Sequence, residues 1–326
     1  MANARTNRPG SDRANLYEQI TNRIITELEA GRVPWVQPWG NARASIGMPH
    51  NAVSHRKYGG VNILTLWDAV VSRGFSSHAF LTFRQAAALG GSIRKGERGT
   101  GVIYIQRFIP REERHQADIE GREPTHGVPF LKWFTVFSVE QCDGLPEHIC
   151  APLPPIPNGL ILPQSESLIE ATSADFRIGG QSAFYSPTYD YVQVPRPDDF
   201  FDPTNWHRTA FHELVHWAGG ASRLNRDQTG VFGSIAYGKE ELVAEMAGAF
   251  VCAALGITPT VRHADCLAPW LEIIREDNRA ILRAASAASK AADYLLAFRP
   301  KSTPTANDPD PGGPIVFEGR IAASRQ

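Results

Sequence analysis

Apolar residues recur along the chain with two different periods. Leu16, Ile20, Ile24 and Leu28 fall four apart in NLYEQITNRIITELEAG, which predicts an amphipathic helix closed by Gly31. GVNILTLWDAVVSRG predicts a second helix. TFRQAAALGG predicts a short third, with Thr82 as its N-cap and Gly90–Gly91 as its stop. The pattern then changes to partial alternation rich in β-branched residues. GTGVIYIQRFIP and FLKWFTVFSVEQC read as partner strands of a small antiparallel sheet, joined by REERHQADIEGREPTHG as a polar hairpin loop. CAPLPPIPNGLILP, with five prolines, reads as a linker. Beyond it SESLIEATSADF has a helical pattern. SAFYSPTYDYVQVPRPDDF holds two strand-like pieces whose prolines favour a sheet edge. NWHRTAFHELVHWAG and GKEELVAEMAGAFVCAALG predict helices, and residues 266–298 a long helix or a helical pair.

The order of elements makes this an α+β protein of two domains. The expected boundaries are a disordered arm over 1–12, a first domain over 13–150, a Pro-rich linker over 151–159, a second domain over 160–298 and a flexible tail over 299–326. A chain of 326 residues is long enough to give each domain its own core. At 42% hydrophobic and 21% charged residues the composition is that of a soluble globular protein, and no apolar run is long enough to span a membrane. The start of the chain is polar, unlike a secretory signal. The four cysteines (Cys142, Cys150, Cys252 and Cys266) form no CxxC pair and are too few for a disulfide scaffold, so a cytoplasmic location is expected.

Charge changes the picture because it is unevenly spread. The net charge is -1, but residues 1–150 carry 18 basic and 14 acidic residues, and the remainder 15 and 20. Residues 43–110 alone hold nine basic and two acidic residues, a positive block inside the first domain.

The candidate chemistry lies in the second domain, in RTAFHELVHWAGG. Four residues apart on a helix, His212 and His216 share one face and can converge on one ion. Glu213, turned by about 100°, cannot easily share that ion but can reach a water on it, which is the logic of the HExxH motif. The apolar neighbours Phe211, Leu214, Val215 and Trp217 anchor the helix and leave the histidines facing outward. A catalytic zinc needs a third protein ligand. EELVAEMAGAF supplies Glu241 and Glu245, again four apart on a helix, an arrangement of the gluzincin type. One would be the ligand and the other would hydrogen-bond the far nitrogen of a ligating histidine. Glu241 is the favoured ligand and Glu245 the favoured support, with the reverse open. Glu240 should point elsewhere, as a solvated or capping carboxylate. Zn2+ is the expected cofactor, with Mn2+ as another fitting divalent ion. The strand in YDYVQVP would pair with an extended substrate, and Tyr185, His207 and Tyr237 are candidate oxyanion partners among which the sequence does not choose.

The segments YEQITNRIITELEAGRVPWVQPW, KYGGVNILTLW, FLTFRQAAALGGSIRKGERGTGVIYI, HELVHWAGGASRLNRD and GKEELVAEMAGAF resemble the ArdC-type antirestriction proteins of conjugative plasmids, over almost all of residues 13–298. The first part is also similar to the N-terminal region of TraC-type plasmid primases. The resemblance implies an N-terminal α+β domain that binds single-stranded DNA and a C-terminal zincin-like metallopeptidase domain. It implies a role in shielding incoming plasmid DNA from host restriction, in the cytoplasm of a donor or recipient bacterium. By position, His212 and His216 match the family's metal histidines, Glu213 its catalytic glutamate, and the third ligand falls in EELVAE. The expected partners are single-stranded DNA, duplex DNA more weakly, and a restriction-system protein as peptidase substrate. The DNA-binding reading picks out residues that could line a positive groove with stacking aromatics: Arg56, Lys57 and Tyr58 in a Gly-rich turn, Arg94, Lys95 and Arg98 in SIRKGERGTG, Arg84, and Trp35 and Trp39 in an aperiodic segment. Two other readings stand beside it: a pure DNA-binding protector with a structural or vestigial metal site, and a primase accessory protein.

Overall fold

Helix α1 spans Pro9–Glu29 and so reaches back into the segment expected to be an arm. A proline at a helix start is tolerated because the first N–H groups have no intrahelical partner. The computed structural model describes residues 9–36, 44–123, 128–151, 158–258 and 267–299, so Trp39, most of the Pro-rich linker and the tail lie outside the described residues. Strand β1 (His50–Asn51) follows, then helix α2 (Val61–Arg73), which buries Ile63, Leu64, Leu66, Trp67 and Val70. Gly74 ends α2 in the left-handed conformation, φ 68°, and its N–H closes on the last carbonyls. After strand β2 (Ala79–Thr82), Thr82 caps helix α3 (Phe83–Ala88) through a reciprocal capping box with Gln85.

The main sheet of the first half has the order β1-β2-β5-β4. Strands β4 (Thr100–Phe108) and β5 (Val128–Ser138) form a nine-residue antiparallel ladder, from Thr100 opposite Val136 to Phe108 opposite Val128. A short second ribbon pairs β3 (Ser92–Ile93) with β6 (Cys142–Asp143). The segment between β4 and β5 is not a plain loop: it contains helix α4 (Arg111–Glu120). Its window lacks an apolar stripe, so periodicity passes over it. Glu112 and Glu113 in the first turn and Arg122 bridging Glu113 and Glu120 support it electrostatically.

After the short helix α5 (Glu147–Cys150), the second half opens with α6 (Asn158–Ala171). Strands β7 (Asp175–Ile178), β8 (Phe184–Ser186) and β9 (Tyr191–Val194) form a sheet of order β7-β9-β8. The strand in YDYVQVP is therefore the central one. Its backbone is bonded on both sides, parallel to β7 and antiparallel to β8, and cannot take a substrate strand. The prolines that favoured an edge, Pro187, Pro195 and Pro197, all lie outside the strands, and β8 is an edge. Helices α7 (Pro203–Ala218) and α8 (Ile235–Ala254) pack together, and the final segment is a pair, α9 (Leu267–Glu276) and α10 (Ala280–Leu296).

The two halves do not keep separate interiors. One apolar cluster runs from Ile24, Leu28, Trp35 and Trp67 to Phe250, Trp270 and Ile281. Trp67 of α2 meets Phe250 of α8 edge-on at 5.5 Å, and Trp35 meets Trp270 of α9 at 5.6 Å. Polar ties follow the same seam: Thr21 donates to the Asn278 carbonyl at 2.6 Å, and Arg275 pairs with Glu29.

Candidate metal centre

Asp202 caps helix α7 by accepting from Thr204 N–H at 2.8 Å, and Pro203 fills the first helical position. The apolar side of α7 (Ala210, Phe211, Leu214, Val215 and Ala218) is fully buried. Ser234 caps α8, which is buried along nearly its whole length from Glu240 to Ala253. Because α8 packs directly on α7, the histidines do not face outward: His212 is buried and His216 half-buried between the two helices.

One turn apart on α7, the His212 and His216 Nε2 atoms come within 3.2 Å. Glu241 of α8 faces both, with Oε2 at 3.4 Å from His212 Nε2 and Oε1 at 3.4 Å from His216 Nε2. Three donors, two imidazoles and one carboxylate, thus gather with their ligand atoms within 4.8 Å of one another. Behind them each imidazole has its own carboxylate. Glu245 Oε1 lies 3.7 Å from His212 Nδ1, and Glu240 Oε1 accepts from His216 Nδ1 at 3.2 Å. Glu241 thus faces both Nε2 atoms, while Glu245 lies behind His212 at more than hydrogen-bond distance from its far nitrogen.

Glu240 does not point away. It is buried and also accepts from Arg226 at 2.6 and 3.0 Å and from Gln228 at 3.2 Å. Arg226 and Gln228 in turn donate to the Val215 and His216 carbonyls, each at 2.7 Å, which fastens the end of α7. Spacing along α8 did not reveal this. Glu240 is turned by one residue from the Glu241–Glu245 line, and only the crossing of the two helices brings it onto the far nitrogen of His216. A cationic residue in the loop between two acid-bearing helices was the available signal.

Glu213, Glu240, Glu241 and Glu245 are all buried here, with Arg226 as the nearby permanent cation. Burying carboxylates without compensation is costly. Burial disfavours a charged His216, but Glu240 and Glu241 outweigh it and raise its pKa to about 10, so a proton is drawn into the centre. Burial pushes Glu241 the other way, yet the two imidazoles hold its carboxyl well below the usual carboxylate range. A donor set this rich in negative charge, with two imidazole nitrogens and a carboxylate already convergent, fits a divalent cation.

The oxyanion candidates are spread around this centre. Tyr185 on β8 donates to Asp190 at 2.8 Å and accepts from Arg223 at 3.1 Å; burial, then Asp190, pushes its pKa up to about 12. Tyr237 sits one turn before Glu241 on α8, its ring tilted at 56° to that of Phe232 with centroids 5.3 Å apart. His207 is buried, with Nε2 at 3.8 Å from Glu166 of α6.

The residues expected to meet DNA fall on separate segments of the first half. Arg56, Lys57 and Arg84 are exposed near one another in the fold, since Asn51 beside the first turn bonds to Gln85 in α3 at 3.1 Å. Arg94, Lys95 and Arg98 lie exposed on the loop from β3 to β4, where Arg94 is taken up by Glu97 and Asp143. Tyr58 is half-buried against the main core. Trp35 is not a stacking platform: it is 0% exposed, enclosed where the halves meet. An aperiodic, Pro-flanked segment gave no sign that its tryptophan packs against a helix more than 200 residues away.

The family model of zincin-like metallopeptidases (MPTase-PolyVal) matches residues 163–287, and that of the N-terminal domain of the anti-restriction factor ArdC matches residues 14–137. An uncharacterized protein of Sinorhizobium fredii, y4eC, is 37% identical over 298 residues, which is 90% of this chain and 95% of that protein. A DNA primase TraC of Escherichia coli is 35% identical over 87% of this chain, but this chain spans only 20% of that primase. The fold matches the Mn(II)-bound crystal structure of the antirestriction ArdC protein from the R388 plasmid with a TM-score of 0.73 at 34% identity, covering 88% of this chain and 99% of that one. The metal-free R388 structure matches with a TM-score of 0.72. With both halves matched in order and at this coverage, the chain belongs to the ArdC antirestriction family, an ArdC N-terminal domain followed by a zincin-like metallopeptidase domain.

Proposed function

We propose that this protein protects incoming plasmid DNA from restriction by holding single-stranded DNA on its first half and hydrolysing a peptide bond, in a protein of the restriction system, at its metal centre. The observation that carries the catalytic part is the convergence of His212, His216 and Glu241 beside Glu213 in a buried site. Those three residues would hold the cation, Zn2+ by preference for two imidazoles and a carboxylate, with Mn2+ as the alternative. A bound ion of this kind supplies Lewis acidity and lowers the pKa of a water. Glu213 takes the proton from the attacking water and returns it to the departing amine. Glu245 and Glu240 keep the two imidazoles turned toward Glu241. The outer edge of β8, which packs beside α7, offers backbone groups to an extended chain.

The DNA-binding part is supported by the exposed cations Arg56, Lys57, Arg84, Lys95 and Arg98 on the ArdC N-terminal domain. No helix of the described residues is long and apolar enough to cross a membrane, which is compatible with action in the cytoplasm. Glu213→Ala separates the two activities. The variant should keep its metal and its affinity for single strands and lose protection of a conjugating plasmid. Unchanged protection by the metal-loaded variant, together with loss on removing the basic residues, would leave the protein a pure DNA-binding protector whose metal is structural.

A further inference from the structure

Six tryptophans lie among the described residues, and five are buried. Trp133 on β5 alone is open, at 45% exposure. Its indole lies across the backbone of Gly101 on the neighbouring strand β4, so closely that any Cβ at position 101 would overlap the ring. The six-membered side of the indole is therefore held against backbone. Trp133 and Gly101 both line a cleft of about 270 Å³ between α1, α2 and the start of β4. That volume is just below the roughly 300–1,000 Å³ of pockets for drug-sized ligands and suits a single flat ring.

The charges around the cleft are Arg23, Glu27, Asp68 and Arg73. Glu27 is taken by Arg32 and Asp68 by Arg23. Arg73 has no ion pair among the described residues and donates to the Arg98 carbonyl. Arg23 loses some of its affinity for a proton, first through burial and then through the nearby Arg73. Two guanidinium groups thus share one cleft with two acids, each acid already paired with an arginine other than Arg73. β4 is an edge strand here: the Asn62 side chain holds the outward N–H and carbonyl of Ile103 at 2.8 and 2.7 Å. Gly101, two residues earlier, turns its N–H and carbonyl to the same outer side. An aromatic over a strand glycine steadies a sheet by itself. It does not account for a largely exposed indole that lines one cleft with a guanidinium in no ion pair among the described residues.

We propose that Trp133 is a stacking platform for one unpaired nucleobase, with Arg73 binding the adjoining phosphate. In a duplex both base faces are already covered, so the occupant is a single strand. This proposal rests on the reading that the first half binds single-stranded DNA, and it places one contact of that binding at a cleft containing none of the basic residues picked from the sequence. Only Arg98 reaches its mouth, through its carbonyl.

The test is fluorescence anisotropy with the full-length protein and labelled oligothymidylate at fixed salt, repeated with an abasic strand. Trp133→Ala should raise the Kd for oligothymidylate about 5- to 100-fold, the range for loss of one stacked base. It should match the wild type on the abasic strand. Trp133→Phe keeps a ring and should bind within a few-fold of wild type, while losing most of the tryptophan quenching that accompanies binding. Arg73→Gln should weaken both strands and lower the salt slope by about 0.7. Tyr104→Ala, an exposed aromatic on the other sheet face, should leave the Kd unchanged. Equal Kd values for wild type, Trp133→Ala and Trp133→Phe, with quenching intact in the Phe variant, would overturn the stacking site while DNA binding stands. Absence of binding by the wild type would overturn the underlying reading itself.

Discussion

The metal centre and the Trp133 cleft use charge in different ways. The centre concentrates negative groups in a buried space between α7 and α8, where Glu240, Glu241 and Glu245 face two imidazoles. The cleft sets two guanidinium groups and two carboxylates beside an exposed ring, between α1, α2 and a strand edge. Burial makes the first highly specified, because a small error leaves an unpaired charge out of water. The second is more open, so solvent screens its charges and single changes are better tolerated. The centre should therefore respond to single changes as a unit, and the basic face one residue at a time.

The largest expected effect concerns the body that carries both. Trp67 lies between the regions, donates to the Gly47 carbonyl at 2.8 Å and packs on Phe250. Trp67→Ala should cost about 3–5 kcal/mol in urea denaturation. Wild-type calorimetry should show one transition, and two resolved transitions would mean that the regions fold independently. Next, Glu245→Gln and Glu240→Gln should each weaken metal affinity about 10- to 100-fold by competition with a chromogenic chelator, without removing a ligand. An unchanged affinity would make the centre as tolerant as the cleft. Metal at about 100 times its Kd should stabilise the chain by about 2.7 kcal/mol, read as a rise in Tm over the chelated protein. Glu241→Ala should abolish that rise. The smallest effects belong to the basic face. Lys95→Ala and Arg84→Ala should each leave folding unchanged and lower the salt slope of single-strand binding by about 0.7. A larger, non-additive loss in the double variant would show a built groove in place of dispersed contacts.

The same contrast explains what the sequence discloses. His212 and His216 on one helix, and Glu241 and Glu245 on another, are each coded by a fixed step of four, so spacing puts each pair on one face of its own helix. The helices α2, α3, α7 and α8 were legible for the same reason, as was the Thr82 cap. Glu240 escaped because its role depends on how α7 and α8 cross. Helix α4 escaped because it has almost no apolar face; Ala117 is its buried residue. The central place of β9 depends on strand pairing at a distance, which prolines at one end do not report. Local composition does not report which tryptophan is open. The tryptophan in the irregular segment is enclosed, and the one in a regular strand is open, because exposure follows from what other elements cover.

The seam where Trp35 meets Trp270 and Trp67 meets Phe250 has a consequence for how such chains can be recombined. A gene cut near residue 150 would release two fragments, each with a bare apolar flank, prone to stick to whatever is near. Grafting the whole span as a single cassette exposes no such flank. A TraC primase of Escherichia coli contains a counterpart to 87% of this chain within a far longer polypeptide.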